Sequence, residues 1–417
     1  MRTEQLQVFL DKKPLYYKEI DHERVHIAYG MLKPHIRRPK TVHIVGTNGK
    51  GSTGRMIAYL AWKQGNREQG ADSRYSVGHY TSPHILKFNE RIWLDGADAS
   101  DVVLETAHQR LYAILGKEMS EALSYFEYTT LLAFVIFEKC DLMVLEAGLG
   151  GEFDATNVCD KELSVIAPIG IDHQAFLGET IEEIAATKIR SIRKLALLAP
   201  QPYLEVVEVA KTIASDVGAD LCVCPQNGNV GADSHICQRV NTQVVPYELK
   251  DIAKAKGWGD YLIDNAMVAL KALELLDIDY DINDLYDLEL FGRFYPLTKN
   301  IRIDVGHNPL AAQAIVKAME AETVLIYNSL DDKDYEAVLR TLKSKVKRVE
   351  IIPIESQRAT TMEAIETAVE KVGLSYGLFD GKLDENEHYL VFGSFYTVEA
   401  FLKAVGFQKS EEVGVRK

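Results

Sequence analysis

The chain has 417 residues, of which 47% are hydrophobic and 26% charged, and carries a formal net charge of −14 at pH 7. That length is too great for a single compact core and predicts two or three domains, while the excess of acid repels nucleic acid and anionic membranes, so neither is expected as a partner. No apolar run approaches the roughly 20 residues that span a bilayer, and Met1 to Tyr17 lacks the apolar core of a signal peptide, which makes the cytoplasm the expected location.

In chain order, the first clear element is an apolar strand, Val42–Val45, followed by Gly46-Thr47-Asn48-Gly49-Lys50-Gly51-Ser52-Thr53 and an amphipathic helix from about Ser52 to Trp62. A glycine-rich turn between strand and helix aims backbone N–H groups and the positive end of a helix dipole at one place, which suits a phosphate. Lys50 adds a point charge for the outer phosphates, and Ser52 or Thr53 a hydroxyl for Mg²⁺. Gly46 lies only three residues before Gly49, so the loop is shorter than the common phosphate-binding pattern and has a further Gly51 after the lysine.

Thr81 to Ile92 reads as a loop with hydroxyls running into a strand that carries cations. Ser124-Tyr125-Phe126-Glu127 opens a helix over Glu127–Glu138, with Ser124 and Glu127 in capping-box spacing. Asp141 to Glu146 is a strand ending in an acid, with Gly148, Gly150 and Gly151 behind it. In a parallel sheet, ligands gather at the carboxyl ends of strands, so Glu146 is either an oxygen ligand for Mg²⁺ or a solvated acid. A strand over Leu163–Ile169 leads to Asp172-His173, where the histidine taken alone reads more readily as a hydrogen-bonded structural residue than as a ligand, and a helix follows over Ile181–Arg193.

The five cysteines are scattered and fit neither a disulfide framework nor a zinc pattern. Leu221 to Val245 is rich in Gly and Asn, with short β-like pieces such as Gln243-Val244-Val245; a helix over about Tyr261–Leu276 follows, opening on Asp260. After Phe291 to Pro296 the alternation restarts. Strands are expected near Ile301–Asp304, Thr323–Tyr327, Arg348–Pro353 and Tyr389–Phe392, with helices near Pro309–Glu320, Tyr335–Lys345, Thr361–Val372 and Tyr396–Val405. Asn308 then Pro309 forms a good helix start, and Asp331-Asp332-Lys333-Asp334 reads as a solvated turn. This is an α/β pattern with largely parallel sheets and a boundary near Tyr295.

Taken together, the short phosphate loop, Glu146 to Val158, Asp172 to Lys188, Ser82-Pro83-His84 with Asn89-Glu90-Arg91-Ile92, Gly292-Arg293 and Asp304 to Pro309 resemble the folylpolyglutamate synthase/dihydrofolate synthase family of the muramyl ligase superfamily. The resemblance implies an N-terminal P-loop ATPase domain with a mostly parallel sheet flanked by helices, over residues 1–295, plus a smaller C-terminal Rossmann-like α/β domain over 296–417. It implies an ATP-dependent ligase, cytoplasmic and monomeric, acting on L-glutamate and on dihydropteroate or a reduced folate. ATP would be held by Thr47, Asn48, Gly49, Lys50, Gly51, Ser52, Thr53, Asn265, Arg293 and Asp304. Two Mg²⁺ ions would involve Ser52, Ser82, Glu146, His173 and a carbamylated Lys188. Substrate contacts fall on Ser82, Arg91, Phe126, Asp154, His307 and Ser394. Catalysis would fall on Lys50, Glu146, His173, Lys188 and His307.

Three departures from the family pattern stand out: Glu152 where many members have Arg, Ile189-Arg190-Ser191 after Lys188 where Ala-Gly-Ile is usual, and Val305-Gly306 in place of Gly-Ala. They motivate one alternative, a nucleotide-binding homologue without ligase activity. The other is a muramyl-type ligase acting on a different carboxylate, although such enzymes usually carry a nucleotide-sugar domain and only about 40 residues precede this loop.

Overall fold

The structure, a computed structural model, describes residues 4–14, 21, 23–67, 75–224 and 247–407. The expected β-like pieces around Gln243 to Val245 lie outside the described residues. Two compact units divide the chain: Met1–Ile169, Leu177–Val244 and Ala266–Asp284 form the first, and Gly170–Phe176, Val245–Asn265 and Leu285–Lys417 the second.

The first unit is built on an eight-stranded sheet of β1 (Lys40–Val45), β2 (Val77–Tyr80), β3 (Ile92–Leu94), β4 (Ala97–Asp98), β5 (Leu142–Glu146), β6 (Leu163–Ile166), β7 (Leu195–Leu198) and β8 (Asp220–Val223). Its order is β4-β3-β2-β5-β1-β6-β7-β8, parallel except where β2, β3 and β4 pair antiparallel at one edge. β1 and β5 are fully or almost fully buried runs, as strands covered on both faces must be. One apolar cluster, with Phe9, Tyr128, Leu131 and Phe137, packs one part of this unit, and a second, with Val45, Ile166, Ile184 and Leu198, packs another. β1 lies between β5 and β6: after β1 the chain builds β2 to β5 on one side and then crosses to β6 on the other, so the turn after β1 sits where the strand order reverses.

The second unit carries a six-stranded sheet of β9 (Tyr295–Pro296), β10 (Ile301–Ile303), β11 (Thr323–Tyr327), β12 (Val346–Ile351), β13 (Tyr376–Leu378) and β14 (Tyr389–Phe392). The order is β13-β12-β11-β14-β10-β9, parallel but for β9 against β10. Its core gathers Phe294, Leu325, Val349, Ile365 and Phe392.

Helix starts follow their caps. Ser124 and Glu127 form the expected reciprocal capping box at helix Tyr125–Phe137, and Asn308 caps Pro309–Val316 through a bond from Ala311 N. The expected cation-bearing strand is instead a 3₁₀ turn, Phe88–Arg91. There the Glu90 carboxylate accepts from the backbone N–H groups of Ile85, Leu86 and Lys87, which closes the chain on itself. Cys140 and Cys159 are free thiols, whereas Cys222 is disulfide-bonded, a bridge that cysteine spacing alone does not encode.

Candidate active site

The turn after β1 leads into helix Lys50–Gly65. Gly46 has φ of +146°, and a Cβ there would lie 2.8 Å from the Ala167 Cβ. Gly49 is left-handed at the helix cap, with φ of 83°. The N–H groups of Thr47 and Asn48 donate to the Pro168 carbonyl at 2.9 and 3.1 Å. The cradle for an anion is therefore the first helical turn from Lys50, whose N–H groups have no carbonyl four residues earlier within the helix.

Lys50 Nζ donates to the Gly46 carbonyl at 3.2 Å and lies 4.0 Å from Glu146 Oε1. Lys188, from helix Ile181–Ile189, donates to the same Gly46 carbonyl at 3.0 Å and is 4% exposed. Glu146 ends β5 beside β1, Ile44 being its register partner. Its Oε2 accepts from the Thr81 hydroxyl and, at 3.3 Å, from Ser82 N. Two cations and one carboxylate thus converge on the phosphate turn. Thr81 is the member that motif reading missed; only its place one residue before Ser82 hinted at it.

Asp154 folds the loop behind Glu146. Its Oδ2 accepts from Gly148 N and Leu149 N, both at 2.9 Å, and its Oδ1 from Thr156 N at 2.9 Å and Thr156 Oγ1 at 2.5 Å. Burial raises its pKa against the pull of these four donors. Every acceptor position described on this carboxylate serves the loop. Phe126 sits under the same loop: a Cβ on Gly148 would come within 2.7 Å of its ring, and the Tyr80 ring lies 5.8 Å away. Arg91 donates from Nε to His84 Nδ1 at 2.9 Å and stacks its guanidinium over Tyr125 at 5.1 Å. Burial, then the Arg91 charge, pushes His84 down to about 4, so this imidazole is neutral.

Two of the departures from the family pattern answer each other. Glu152 Oε2 pairs with Arg190 Nη1 at 3.4 Å, so the reversed charge meets a cation that is itself a departure. Ile189 is fully buried in the core and Ser191 Oγ donates to the Lys188 carbonyl at 2.8 Å, so both departing side chains have a place at the helix end.

A second group of residues belongs to the second unit. Asp304, at the end of β10, accepts from Gly306 N and Phe294 N, each at 2.7 Å, and from Tyr261 at 3.2 Å; burial raises its pKa. Arg293 lies over the Phe395 ring at 5.4 Å, and Asn265 is buried in helix Asp260–Leu275. Ser394 caps helix Phe395–Ala404, accepting from Thr397 N at 3.0 Å. His307 holds Nδ1 3.1 Å from its own loop's Val305 carbonyl and Nε2 3.7 Å from Asp172.

Lys333, read from sequence as part of a solvated turn, is only 3% exposed at its side chain. It donates to Asp172 Oδ1 at 2.7 Å and contacts His173 Nε2 at 3.3 Å, while Asn308 donates to Asp172 Oδ2 at 3.1 Å. Burial alone would raise the Asp172 pKa, yet His307, His173 and Lys333 hold the carboxyl far below the usual range. These bonds bind Gly170–Phe176, with His173 at φ of 53°, into the second unit. Three acids flank this lysine in sequence, which hides its partner 161 positions away.

No family model matches the chain. A curated dihydrofolate synthase/folylpolyglutamate synthase of Haemophilus influenzae is 29% identical over 419 residues, covering 88% of this chain and 89% of that protein. The crystal structure of Helicobacter pylori folylpolyglutamate synthetase is 38% identical, with a TM-score of 0.74 over 96% of this chain and 98% of that one. The chain belongs to the folylpolyglutamate synthase/dihydrofolate synthase family. A bifunctional member from Yersinia pestis, crystallised with AMPPNP and a Mn ion, is 25% identical with a TM-score of 0.76, covering 96% and 97% of the two chains.

For a member of this family, the oxygen donors around the phosphate turn have the right chemistry for a divalent metal. The Glu146 carboxylate and the Thr81 hydroxyl adjoin each other, and Ser52 lies in the first helical turn; such hard oxygens suit Mg²⁺. Among the described residues, no three His, Cys, Asp or Glu side chains form a ready-made metal cluster. Nor, among them, is any helix long and apolar enough to cross a membrane.

Proposed function

We propose that the chain is an ATP-dependent amide ligase of the cytoplasm that joins L-glutamate to dihydropteroate, to a reduced folate, or to both. The observation that carries this reading is the convergence of Lys50, Lys188 and Glu146 on the turn after β1. A carboxylate does not form an amide directly because oxide is a hopeless leaving group. Transfer of the γ-phosphoryl group to the acceptor's carboxylate gives an acyl phosphate; the glutamate amine then attacks its carbonyl carbon and phosphate departs.

Lys50 and Arg293 stabilise charge on the transferring group. Bound Mg²⁺, two ions in this reading, screens the phosphate oxygens. Ser52, Ser82, Glu146 and His173 are its assigned ligands. Carbamylation of Lys188 would turn one of the two cations at the Gly46 carbonyl into an anion able to face metal. His307, with Nδ1 turned to the Val305 carbonyl and Nε2 toward Asp172, is one candidate base for the incoming amine. Arg91 and Ser394 are assigned to glutamate, and Phe126 and Asp154 to the acceptor, Asp154 through the loop it folds. In this reading residues 1–295 bind ATP and 296–417 contribute to glutamate and nucleotide binding. The Glu152–Arg190 pair removes one motive for supposing an inactive homologue.

The test is ADP release from MgATP with glutamate, comparing dihydropteroate and tetrahydrofolate, before and after chelation of the metal. Turnover with either acceptor, abolished by chelator and lowered about a hundred- to a thousandfold in Lys50→Ala, supports the reading. Acceptor-independent hydrolysis, or none at all from folded protein that binds ATP, overturns it.

A further inference from the structure

Behind the phosphate turn, a buried chain of hydrogen bonds joins three segments that bear candidate residues of the first unit: β1, the loop behind Glu146 and the end of the Lys188 helix. Lys161 is 6% exposed and its Nζ has three partners, one from each segment: His43 Nδ1 on β1 at 3.1 Å, Asn157 Oδ1 on the loop behind Glu146, and the Ser191 carbonyl at the end of the Lys188 helix at 3.1 Å. His43 Nε2 lies 2.8 Å from Thr156 Oγ1, which lies 2.5 Å from Asp154 Oδ1. His43, Thr156, Asn157, Asp154 and Ser191 are all buried.

The donor directions can be worked out from one end. An ionised carboxylate only accepts, so Thr156 gives its hydroxyl proton to Asp154. Its oxygen must then accept from His43, which fixes the Nε2–H tautomer and leaves Nδ1 a bare lone pair. Asn157 Nδ2 is already committed to the Glu152 carbonyl at 2.8 Å, so Oδ1 faces the lysine. Lys161 thus meets three acceptors, and an ammonium has three donors and no lone pair. Burial and the charges of Lys161 and Arg193 hold His43 far below the ordinary histidine range, as a single fixed tautomer requires.

We propose that Lys161 is a positioning residue for the ligase reaction, fastening β1, the Gly148–Asn157 loop and the end of the Lys188 helix together and, through His43 and Thr156, orienting Asp154. None of the atoms in this chain needs to touch substrate. Their effect is to hold Glu146's loop, Lys188 and the phosphate turn in register. The kinetic consequence rests on the ligase reading above; the donor chain itself does not.

Histidine ¹⁵N NMR of the full chain on the acid side of neutrality, with His43→Gln for assignment, tests the chain directly. His43 should appear as a pure Nε2–H tautomer in the wild type and in each single variant, because Thr156 and Lys161 each demand it from opposite ends, and lose that signature in the double variant Lys161→Met/Thr156→Val. In parallel, kcat for acceptor-dependent ADP release should fall about ten- to a hundredfold in Lys161→Met and Thr156→Val, with KM for ATP within about twofold, and recover in Thr156→Ser. If Lys161→Met does not fold, the two Thr156 variants decide. An Nδ1–H tautomer in the wild type, or an unchanged kcat in Thr156→Val, overturns the proposal. A wild type without ADP release sinks the ligase reading instead, and the NMR comparison still decides the chain.

Discussion

Lys161 and Lys333 are both buried cations, held in different ways. Lys333 has a full counter-charge in Asp172 at 2.7 Å. Removing one partner of such a pair strands the other charge away from water, so Lys333→Met should cost roughly 3–5 kcal/mol, read as a shift of the urea transition. Lys161 has dipolar acceptors rather than an adjacent carboxylate, and burial pulls it from 10.5 down to about 7. Between those two values the unfolded chain holds a proton that the folded chain has given up. Stability contributed at this site is therefore lowest below pH 7 and rises with pH through the window up to about 10.5. Urea midpoints measured across that range should climb in the wild type and climb less in Lys161→Met; equal slopes would refute the assignment.

The contact between the loop behind Glu146 and the helix carrying Lys188 is made by backbone. A Cβ on Gly151 would sit 2.3 Å from the Lys188 carbonyl oxygen, and a main-chain group cannot swing aside as a side chain can. Gly151→Ala should therefore destabilise by about 1–3 kcal/mol and lower acceptor-dependent ADP release, both measurable on one preparation. Much of this architecture was legible in the sequence. The strands Leu142–Glu146, Thr323–Tyr327 and Tyr389–Phe392 fall where apolar runs end in turn residues, and caps such as Ser124 and Asn308 are local chemistry. The helical stretch Asp101–Ala122, interrupted at Gly116, and the short strands β2 to β4 were not read, because the apolar face of the stretch is diluted by charge and strands of two to four residues carry too little period to register. The glycine turn and Glu146 were visible because they are contiguous motifs at strand ends. Lys161, His43, Lys333 and Asp172 were not, because their partners lie far off in sequence and only the folded chain brings them together.

At the scale of the whole molecule, each unit has its own sheet and its own apolar core. A nucleotide that binds only the folded state stabilises it by about 2.7 kcal/mol at a hundred times its Kd. MgADP should accordingly raise the thermal midpoint of the wild type in a concentration-dependent way and do so far less in Lys50→Ala; equal shifts would place the nucleotide elsewhere. The units are nevertheless not successive stretches of sequence. Each is assembled from three separate pieces, and Gly170–Phe176 belongs to a unit whose bulk begins only at Leu285. A ribosome delivers residues strictly in order. It therefore releases Asp172 long before Lys333, the ammonium that neutralises it, has been synthesised, and the first unit stays incomplete until Asp284 has emerged. Neither unit can be obtained by cutting the gene once, and a nascent chain arrested halfway holds an acid whose partner does not yet exist.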